Sequence, residues 1–396
     1  MKNIIVQKYG GSSVADSEKL KKVAEKIAKR IKQQFKLVVV VSAMGKTTDN
    51  LIKLSKEISI NPAPRELDML LTTGEQVSAS LLAIALNDIG VKCKSLNAFQ
   101  AEILTTGDFN QARIKNLKVK KIKDLLKEDD AVIITGFQGI TEEGEITTLG
   151  RGGSDTSAVA LAAAMSAKCE IYSDVAGIFT TDPRIHPGAK KLKYITYDEM
   201  LEMSSLGAKV LHSRSVEIAK KFGITIYCGS TFSEEEGSYV MKKNIEQPVV
   251  SGLSVMDNQT QVTLSNLPLD YTLVHQIFEK VAKEGLNVDM ISIISNGGLN
   301  ISFTVIEDKK AHISKALSQI LKGMKDLNIN YNSGYSKISI VGIGMKSSSG
   351  VAAKYFKALA GIPVKLVTTS EIKISCLVEE KYKEKAVKAL INTFEL

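Results

Sequence analysis

Apolar residues in the first 245 positions alternate between short unbroken runs and helical spacing. Ile4 to Val6 and Leu37 to Val41 are runs of the kind a parallel strand shows when both its faces are covered. Between them Leu20, Val23, Ala24, Ile27, Ala28 and Ile31 recur at helical spacing, with Lys and Glu filling the opposite face. That is a strand–helix–strand unit. Further runs at Ala131 to Ile134, Cys169 to Ser173 and Ile224 to Cys228, separated by helical stretches, predict a mainly parallel α/β sheet covered by helices on both faces.

From about Val249 the elements shorten. Val262 to Leu264 predicts a strand, Thr272 to Lys283 a helix, and Val288 to Ile294 and Asn300 to Val305 two strands. Lys310 to Lys322 predicts a helix and Ile329 to Asn332 a strand. The order β-α-β-β-α-β is that of a ferredoxin-like unit. Lys337 to Val341, Val351 to Leu359, Val364 to Thr368, Ile372 to Val378 and Tyr382 to Phe394 repeat it without the last strand. Val249 to Val255 is a spare strand just upstream. The expected division is therefore a domain over 1–245, an inserted unit over 260–333, and a second unit from 249–256 plus 336–396.

Composition narrows the class. A chain of 396 residues with 44% hydrophobic and 24% charged residues is too apolar for disorder and long enough for two or three cores. Cys93, Cys169, Cys228 and Cys376 form no CxxC pair, which predicts reduced, buried thiols. The start Met1-Lys2-Asn3-Ile4 enters a run too brief for a secretory leader, and the Ala-rich run Ala158 to Ala167 is too short to span a bilayer. A cytoplasmic protein without a membrane partner is expected. No HExxH motif joins His186, His212, His275 and His312, so no metal site of protein side chains is expected. His212 and His186 read as structural. The net charge of +9 points to anions. Nucleic acid is not expected, because the Lys residues lie along helix faces and Trp is absent.

Three segments could carry chemistry. The first strand runs into Lys8-Tyr9-Gly10-Gly11-Ser12-Ser13, where two glycines let backbone N–H groups approach a phosphate beside a lysine charge. A tight turn with a solvated lysine would have the same letters. Gly150-Arg151-Gly152-Gly153-Ser154-Asp155-Thr156-Ser157 precedes an apolar helix, so Ser154 or Asp155 is placed to cap it. Arg151 offers a fork for a carboxylate, and capping alone would need neither the arginine nor three glycines. The third comprises Ser173-Asp174, Thr180-Thr181-Asp182-Pro183-Arg184 and Gly207-Ala208-Lys209, which could hold a nucleotide and its Mg²⁺. An Asp-Pro turn and a solvated lysine are the plain alternative. Gly45-Lys46-Thr47 imitates a P-loop, but Val40 stands where its first glycine belongs. Gly342-Ile343-Gly344 imitates a dinucleotide turn, but Ser347 takes the last glycine's place.

Together the segments resemble the aspartokinase branch of the amino-acid kinase family, of the type followed by tandem ACT domains. Lys8 to Val14 is similar to the family's KFGGTSV, Val40 to Thr48 to VSAMGxTT, and Thr72 to Glu75 to T-x-G-E. Thr147 to Thr156 is similar to TTLGRGGSDT, and Ser173 to Arg184 to SDVxGxxTxDPR. The resemblance implies an amino-acid kinase fold with two ferredoxin-like ACT units. It also implies ATP- and Mg²⁺-dependent phosphorylation of L-aspartate, the opening step of lysine, threonine and methionine biosynthesis. Lys8, Asp155 and Lys209 would be catalytic. Lys8, Tyr9, Gly10, Gly11, Ser42, Ser173, Asp174, Thr180, Asp182, Pro183, Arg184 and Lys209 would line the nucleotide, with Gly10 and Gly11 donating backbone N–H groups. Thr47, Glu75, Arg151, Gly152, Gly153 and Ser154 would hold aspartate, with Glu75 on its amino group and Arg151 on its α-carboxylate. Asp270, Asn287, Asp289, Thr369, Ser370 and Glu371 would form effector sites for lysine or threonine. A homodimer paired through the ACT sheets is implied, with a higher oligomer left open.

The chain also departs from the pattern. Leu269-Asp270-Tyr271-Thr272 lacks the Pro-Gly turn of the first ACT unit, Ala176 replaces a residue that is often Asp or Pro, and Gly361-Ile362-Pro363 lacks a common asparagine. Weakened or altered feedback is the expectation. A kinase for glutamate or another amino acid, and a silent amino-acid sensor, are the competing readings; the presence of Lys8, Asp155, Asp182 and Lys209 speaks against the sensor.

Overall fold

The computed structural model describes residues 3–207, 210–242, 248–322, 324 and 327–396. They pack as two compact units. One holds the residues up to Phe179, Lys190–Ser205 and those described between 210 and 242. The other holds Thr180–Ala189, Leu206, Gly207 and those described from 248 on.

The first unit is built on an eight-stranded sheet. Its strands run in the order Tyr194–Ile195, Ser238–Val240, Ile226–Ser230, Lys168–Ser173, Ile4–Tyr9, Lys36–Val41, Ala131–Thr135 and Cys93–Leu96. The neighbours from Ile226–Ser230 through Cys93–Leu96 are parallel, and Ser238–Val240 is antiparallel to Ile226–Ser230. Register aligns Tyr9 with both Val41 and Tyr172, and Val41 with Thr135, so the strands end together along one edge. The helix Ser17–Lys32 starts where the Asp16 carboxylate accepts the Lys19 N–H. Lys29, Arg30 and Lys32 sit in its last turn, where cations complement the helix dipole. Its Leu20, Val23, Ala24 and Ile27 pack with Ile5, Leu37, Val39 and Val41, and Leu82 and Leu86 of the helix Thr73–Asp88 join them. Each such fully buried aliphatic side chain contributes at most about 1.5–3 kcal/mol. The helix Gly153–Met165 lies against the first strand, and the helix Ser213–Phe222 lies against it in turn. A smaller four-stranded sheet, in the order Ile114–Leu117, Ile103–Thr105, Gln138–Ile140 and Ile146–Thr148, carries the loop that leads into the helix Gly153–Met165.

The helices Pro64–Leu71 and Thr73–Asp88 together make a 25-residue segment long and apolar enough to cross a membrane by length and composition. Its apolar side chains Ala79, Leu82, Ala83 and Leu86 belong to the core of the first unit.

In the second unit the strands around Val249–Leu264 differ from expectation. Gly252–Leu267 is one strand, and so is Asn328–Val341, where two separate strands were expected in each case. Both run through a single six-stranded antiparallel sheet in the order Asp289–Ser295, Leu299–Ile306, Gly252–Leu267, Asn328–Val341, Lys373–Glu379 and Val364–Ser370. Gly252 to Met256 pairs with Lys337 to Val341, and Gln261 to Ser265 pairs with Asn328 to Asn332. The halves are separated by bulges between Met256 and Gln261. One core gathers Val262, Leu264, Ile277 and Phe303; another gathers Leu253, Ile340, Tyr355 and Leu390. All four cysteines are free and buried.

Candidate active site

The ends of the parallel strands create the site of the first unit. Beyond each strand the chain hooks onto its neighbour. Gly10 N–H donates to Tyr172 O at 3.2 Å, Ser42 N–H to Tyr9 O at 3.1 Å, Gly136 N–H to Val41 O at 2.9 Å and Thr231 N–H to Ser173 O at 2.8 Å. Four loops therefore open on the carboxyl edge of the sheet, where open α/β sheets bind their ligands. The bond to Tyr172 corrects one expectation: the N–H of Gly10 is already engaged, which leaves a phosphate role to Gly11. A Cβ on Gly11 would lie 2.7 Å from Ala43 O, and Gly11 O accepts the Gly45 N–H at 3.0 Å. Lys46 and Thr47 begin the helix Thr47–Ile58, and Thr47 Oγ1 donates to Met44 O at 2.6 Å.

Lys8, on the first strand, meets Asp155 across this edge. Lys8 Nζ lies 2.7 Å from Asp155 Oδ1, with side chains only 12% and 11% exposed. The contact is one of charge, because Asp155 Oδ1 lacks the angle of a directed hydrogen bond. An ion pair so shielded fixes the direction of the ammonium rather than adding much stability. The capping expectation is corrected here as well. The helix runs Gly153–Met165, its cap position is Gly152, and no side chain caps it. Ser154 and Asp155 are first-turn residues, and the Asp155 carboxylate goes to Lys8. Arg151 projects from the turn before them, exposed, with no ion-pair or hydrogen-bond partner among the described residues.

Glu75 lies in the first turn of the helix Thr73–Asp88 and is 3% exposed. Its Oε1 accepts the Ala43 N–H at 3.0 Å, and its buried Oε2 has no hydrogen-bond partner among the described residues. Burial pushes its carboxyl up from an ordinary 4.5 to about 7, and the Ala43 N–H pulls weakly the other way. A buried carboxylate oxygen without a partner suits a cation supplied from outside. Close packing holds it there: a Cβ on Gly74 would come 2.9 Å from the Ala43 Cβ.

The supporting residues Asp68, Gly136 and Arg214 escaped the sequence reading, and His212 was read as structural. Asp68 is fully buried; it accepts the N–H groups of Asn110 at 2.9 Å and Thr148 at 2.8 Å, and the Thr148 hydroxyl at 2.7 Å. It ties the helix Pro64–Leu71 to the strand that feeds the Arg151 loop. Its only sequence signal is helical spacing with Leu71. Gly136 is another, since a Cβ there would come 2.7 Å from Ser154 Cβ and Oγ. His212 packs on Gly152, and Arg214 donates to Leu149 O at 2.5 Å.

The other expected residues fall into separate groups. Tyr9 is buried and stacks on Tyr172, with ring centroids 5.2 Å apart. Ser173 ends its strand and its hydroxyl accepts the Val175 N–H at 3.2 Å, while Asp174 beside it is exposed. Thr180, Asp182, Pro183 and Arg184 belong to the second unit, where the Arg184 guanidinium grips the Asp182 carboxylate at 2.6 to 3.2 Å. Lys209 lies outside the described residues. Asp270 caps the helix Tyr271–Lys283 by accepting the Thr272 N–H at 2.8 Å, in place of the missing Pro-Gly turn. Asn287 is exposed. Asp289 is bonded to the ammonium of Lys337, a side chain 3% exposed, and the pair holds the Asp289 carboxyl below its usual range against the upward push of burial. Thr369 and Ser370 end an edge strand, and Glu371 pairs with Lys346 at 2.5 Å.

Among the described residues the sheet edge presents one anchored ammonium and one buried open carboxylate, an arrangement that suits a small-molecule phosphotransferase. The chain belongs to the amino acid kinase family, whose model matches residues 3–230, with an ACT domain model matching 338–394. Its relatives include an aspartokinase of Bacillus sp. strain MGA3, 49% identical over 99% of this chain and 97% of the relative. An aspartokinase of Geobacillus stearothermophilus is 46% identical over the same shares. The crystal structure of E. coli aspartokinase III in complex with aspartate and ADP has a similar fold, with a TM-score of 0.85 at 24% identity over all of both chains.

Proposed function

We propose that this chain is an aspartate kinase, transferring the γ-phosphoryl group of ATP to the β-carboxylate of L-aspartate to give 4-phospho-L-aspartate and ADP. The observation that carries the reading is the Lys8–Asp155 pair at the sheet edge, in a chain that aspartokinases match over 99% of its length. A carboxylate oxygen attacks the γ-phosphorus, the bond to the β,γ-bridging oxygen breaks, and no proton changes hands. An aspartate side chain, with a pKa of about 3.9, is ionised at neutral pH and needs no general base. The protein's task is positioning and charge neutralisation. Lys8 faces the transferring group, and Asp155 sets where its ammonium points. Glu75 Oε2 receives the α-ammonium of aspartate, and Arg151 pairs with its α-carboxylate as a fork. Thr47, Gly152, Gly153 and Ser154 border the same substrate. Gly11, Ser42, Ser173 and Asp174 face the nucleotide.

Magnesium fits as a companion of the nucleotide. Among the described residues no group of three His, Cys, Asp or Glu side chains could hold a metal. Mg²⁺ is commonly held by phosphates and one or two carboxylates. Asp174 suits that role, because Asp155 is tied to Lys8 and Asp182 to Arg184. When bound, the ion would shield phosphate charge.

The C-terminal sheet is read as an effector domain of altered response, because Asp289 is engaged by Lys337 and Asp270 by its own helix. A homodimer formed through that sheet is favoured by its edge strand Asp289–Ser295, which exposes Ile291, Ile293 and Ile294. The activity is tested with ATP, Mg²⁺, L-aspartate and hydroxylamine, which traps the acyl phosphate. Aspartyl hydroxamate is expected. No product from folded protein, or product from glutamate alone, would sink the assignment.

A further inference from the structure

The turn that begins the helix Ser213–Phe222 grips the Arg151 loop from two directions. Arg214 donates through one guanidinium nitrogen to Leu149 O at 2.5 Å and through the other to Ala112 O at 3.0 Å. His212, the residue before the helix, lies over Gly152. A Cβ on Gly152 would fall 2.3 Å from both Cβ and Cγ of His212, so the imidazole rests on bare backbone. Gly152 also has φ +68°, a left-handed conformation that glycine adopts without strain. Two neighbouring side chains thus hold the chain on either side of Arg151, at Leu149 and at Gly152. Three residues after Gly152 comes Asp155, bound to Lys8.

His212 is placed by contact with the loop and Arg214 by hydrogen bonds to its carbonyls. The His212 Nδ1 is buried and has no hydrogen-bond partner among the described residues, so the ring is not held there by that nitrogen's hydrogen bond. The Arg214 guanidinium is half-buried, and burial lowers its pKa, yet it bridges two carbonyls from different segments. Both side chains act on the shape of one short loop whose own side chain, Arg151, is left projecting.

We infer that His212 and Arg214 are positioning residues for the acceptor amino acid, setting where Arg151 presents its guanidinium. The inference rests on the reading above that Arg151 receives the α-carboxylate. A displacement of about 1 Å in a positioning group can lower rate on the order of 10²-fold. Releasing either grip should therefore act on aspartate and spare ATP.

The test is steady-state kinetics of the full chain with each substrate varied in turn. His212→Ala and Arg214→Lys should each lower kcat/KM for aspartate by roughly 10- to 100-fold, mainly through KM, with KM for ATP little changed. Gly152→Ala should do the same by clashing with His212. Adding His212→Gly to Gly152→Ala, which removes the clashing Cβ as well as the ring, should recover part of the loss, the left-handed backbone preventing full recovery. His212→Asn serves if His212→Ala does not fold. Arg151→Gln is the companion that separates the two readings. If it raises the aspartate KM while the His212 and Arg214 variants do not, or while they raise both KM values together, the positioning role is overturned. If Arg151→Gln leaves the aspartate KM unchanged, the reading of the loop fails and the inference falls with it.

Discussion

Glu75 allows a prediction in which stability and substrate binding depend oppositely on pH. Its carboxyl is 3% exposed and held at about 7 against an ordinary 4.5, chiefly by burial. Between those values the folded chain keeps the proton and the unfolded chain does not. The stabilisation is therefore complete below pH 4.5 and is lost as pH rises through 7. At ~1.4 kcal/mol per pH unit, this one group takes about 3 kcal/mol from the folded state by pH 8. An α-ammonium beside Oε2 favours the ionised form, so aspartate binding must release that proton. At pH 6 about one molecule in ten has Glu75 ionised, and at pH 8 about nine in ten. The aspartate KM should fall about tenfold over that range.

The assay is initial rate of ADP release at saturating ATP, with aspartate varied at pH 6, 7 and 8. Glu75→Gln is the control, because it keeps the Ala43 N–H acceptor and removes both the charge and the titration. Loss of a charge-assisted bond of ~1.5–3 kcal/mol predicts a KM raised by roughly 10- to 100-fold at pH 8, and flat with pH. The control also separates Glu75 from titration of the nucleotide. A wild-type KM that is level from pH 6 to 8, or a Gln variant that keeps the slope, would refute the assignment of Glu75 to the amino group.

Asp68→Ala should destabilise the first unit by about 3 kcal/mol, because it leaves the buried donors of Asn110 and Thr148 unsatisfied; a lower urea midpoint at unchanged slope is the readout. Lysine and threonine titrated against initial rate should inhibit weakly, since Lys337 already occupies Asp289; strong inhibition at low concentration of either would contradict this. Sedimentation should show a dimer that weakens with Ile294→Lys on the exposed edge strand; an unaltered dimer would move the interface elsewhere.

The parallel strands were legible because a strand covered on both faces is written as a local run, such as Leu37 to Val41. The long strands of the C-terminal sheet were not. Asp257 and Asn258 interrupt the apolar pattern, and Asn258 turns with φ +56°, so the letters read as a loop. The ladder resumes beyond a bulge, a device that only the partner strand Asn328–Val341 makes visible. Lys8, Glu75 and Asp155 were found through local signatures. What those residues do was not local: the Ala43 N–H on Glu75, the Asp68 latch and the imidazole over Gly152 join segments far apart in the chain. The expected N–H of Gly10 failed for the same reason, because its acceptor, Tyr172, lies on another strand.

That contrast explains why the glycines of the Arg151 loop read so strongly while their purpose stayed hidden. A side-chain cap at the start of the helix Gly153–Met165 would contribute ~1 kcal/mol, yet the position is Gly152 and no side chain caps it. A side chain there would collide with His212, and one at Gly136 would collide with Ser154. The helix therefore has no side-chain cap, its Gly153 N–H donating to Gly150 O at 3.0 Å, while its first-turn carboxylate is committed to Lys8 across the sheet edge. Such an end favours an anion. The reaction proposed here brings two anions together, a carboxylate and a triphosphate. Their mutual repulsion, rather than any proton transfer, is the barrier the protein must lower. A helix end without a side-chain cap, an anchored lysine and a projecting arginine on one edge suit that task, and a catalytic base would add nothing to it.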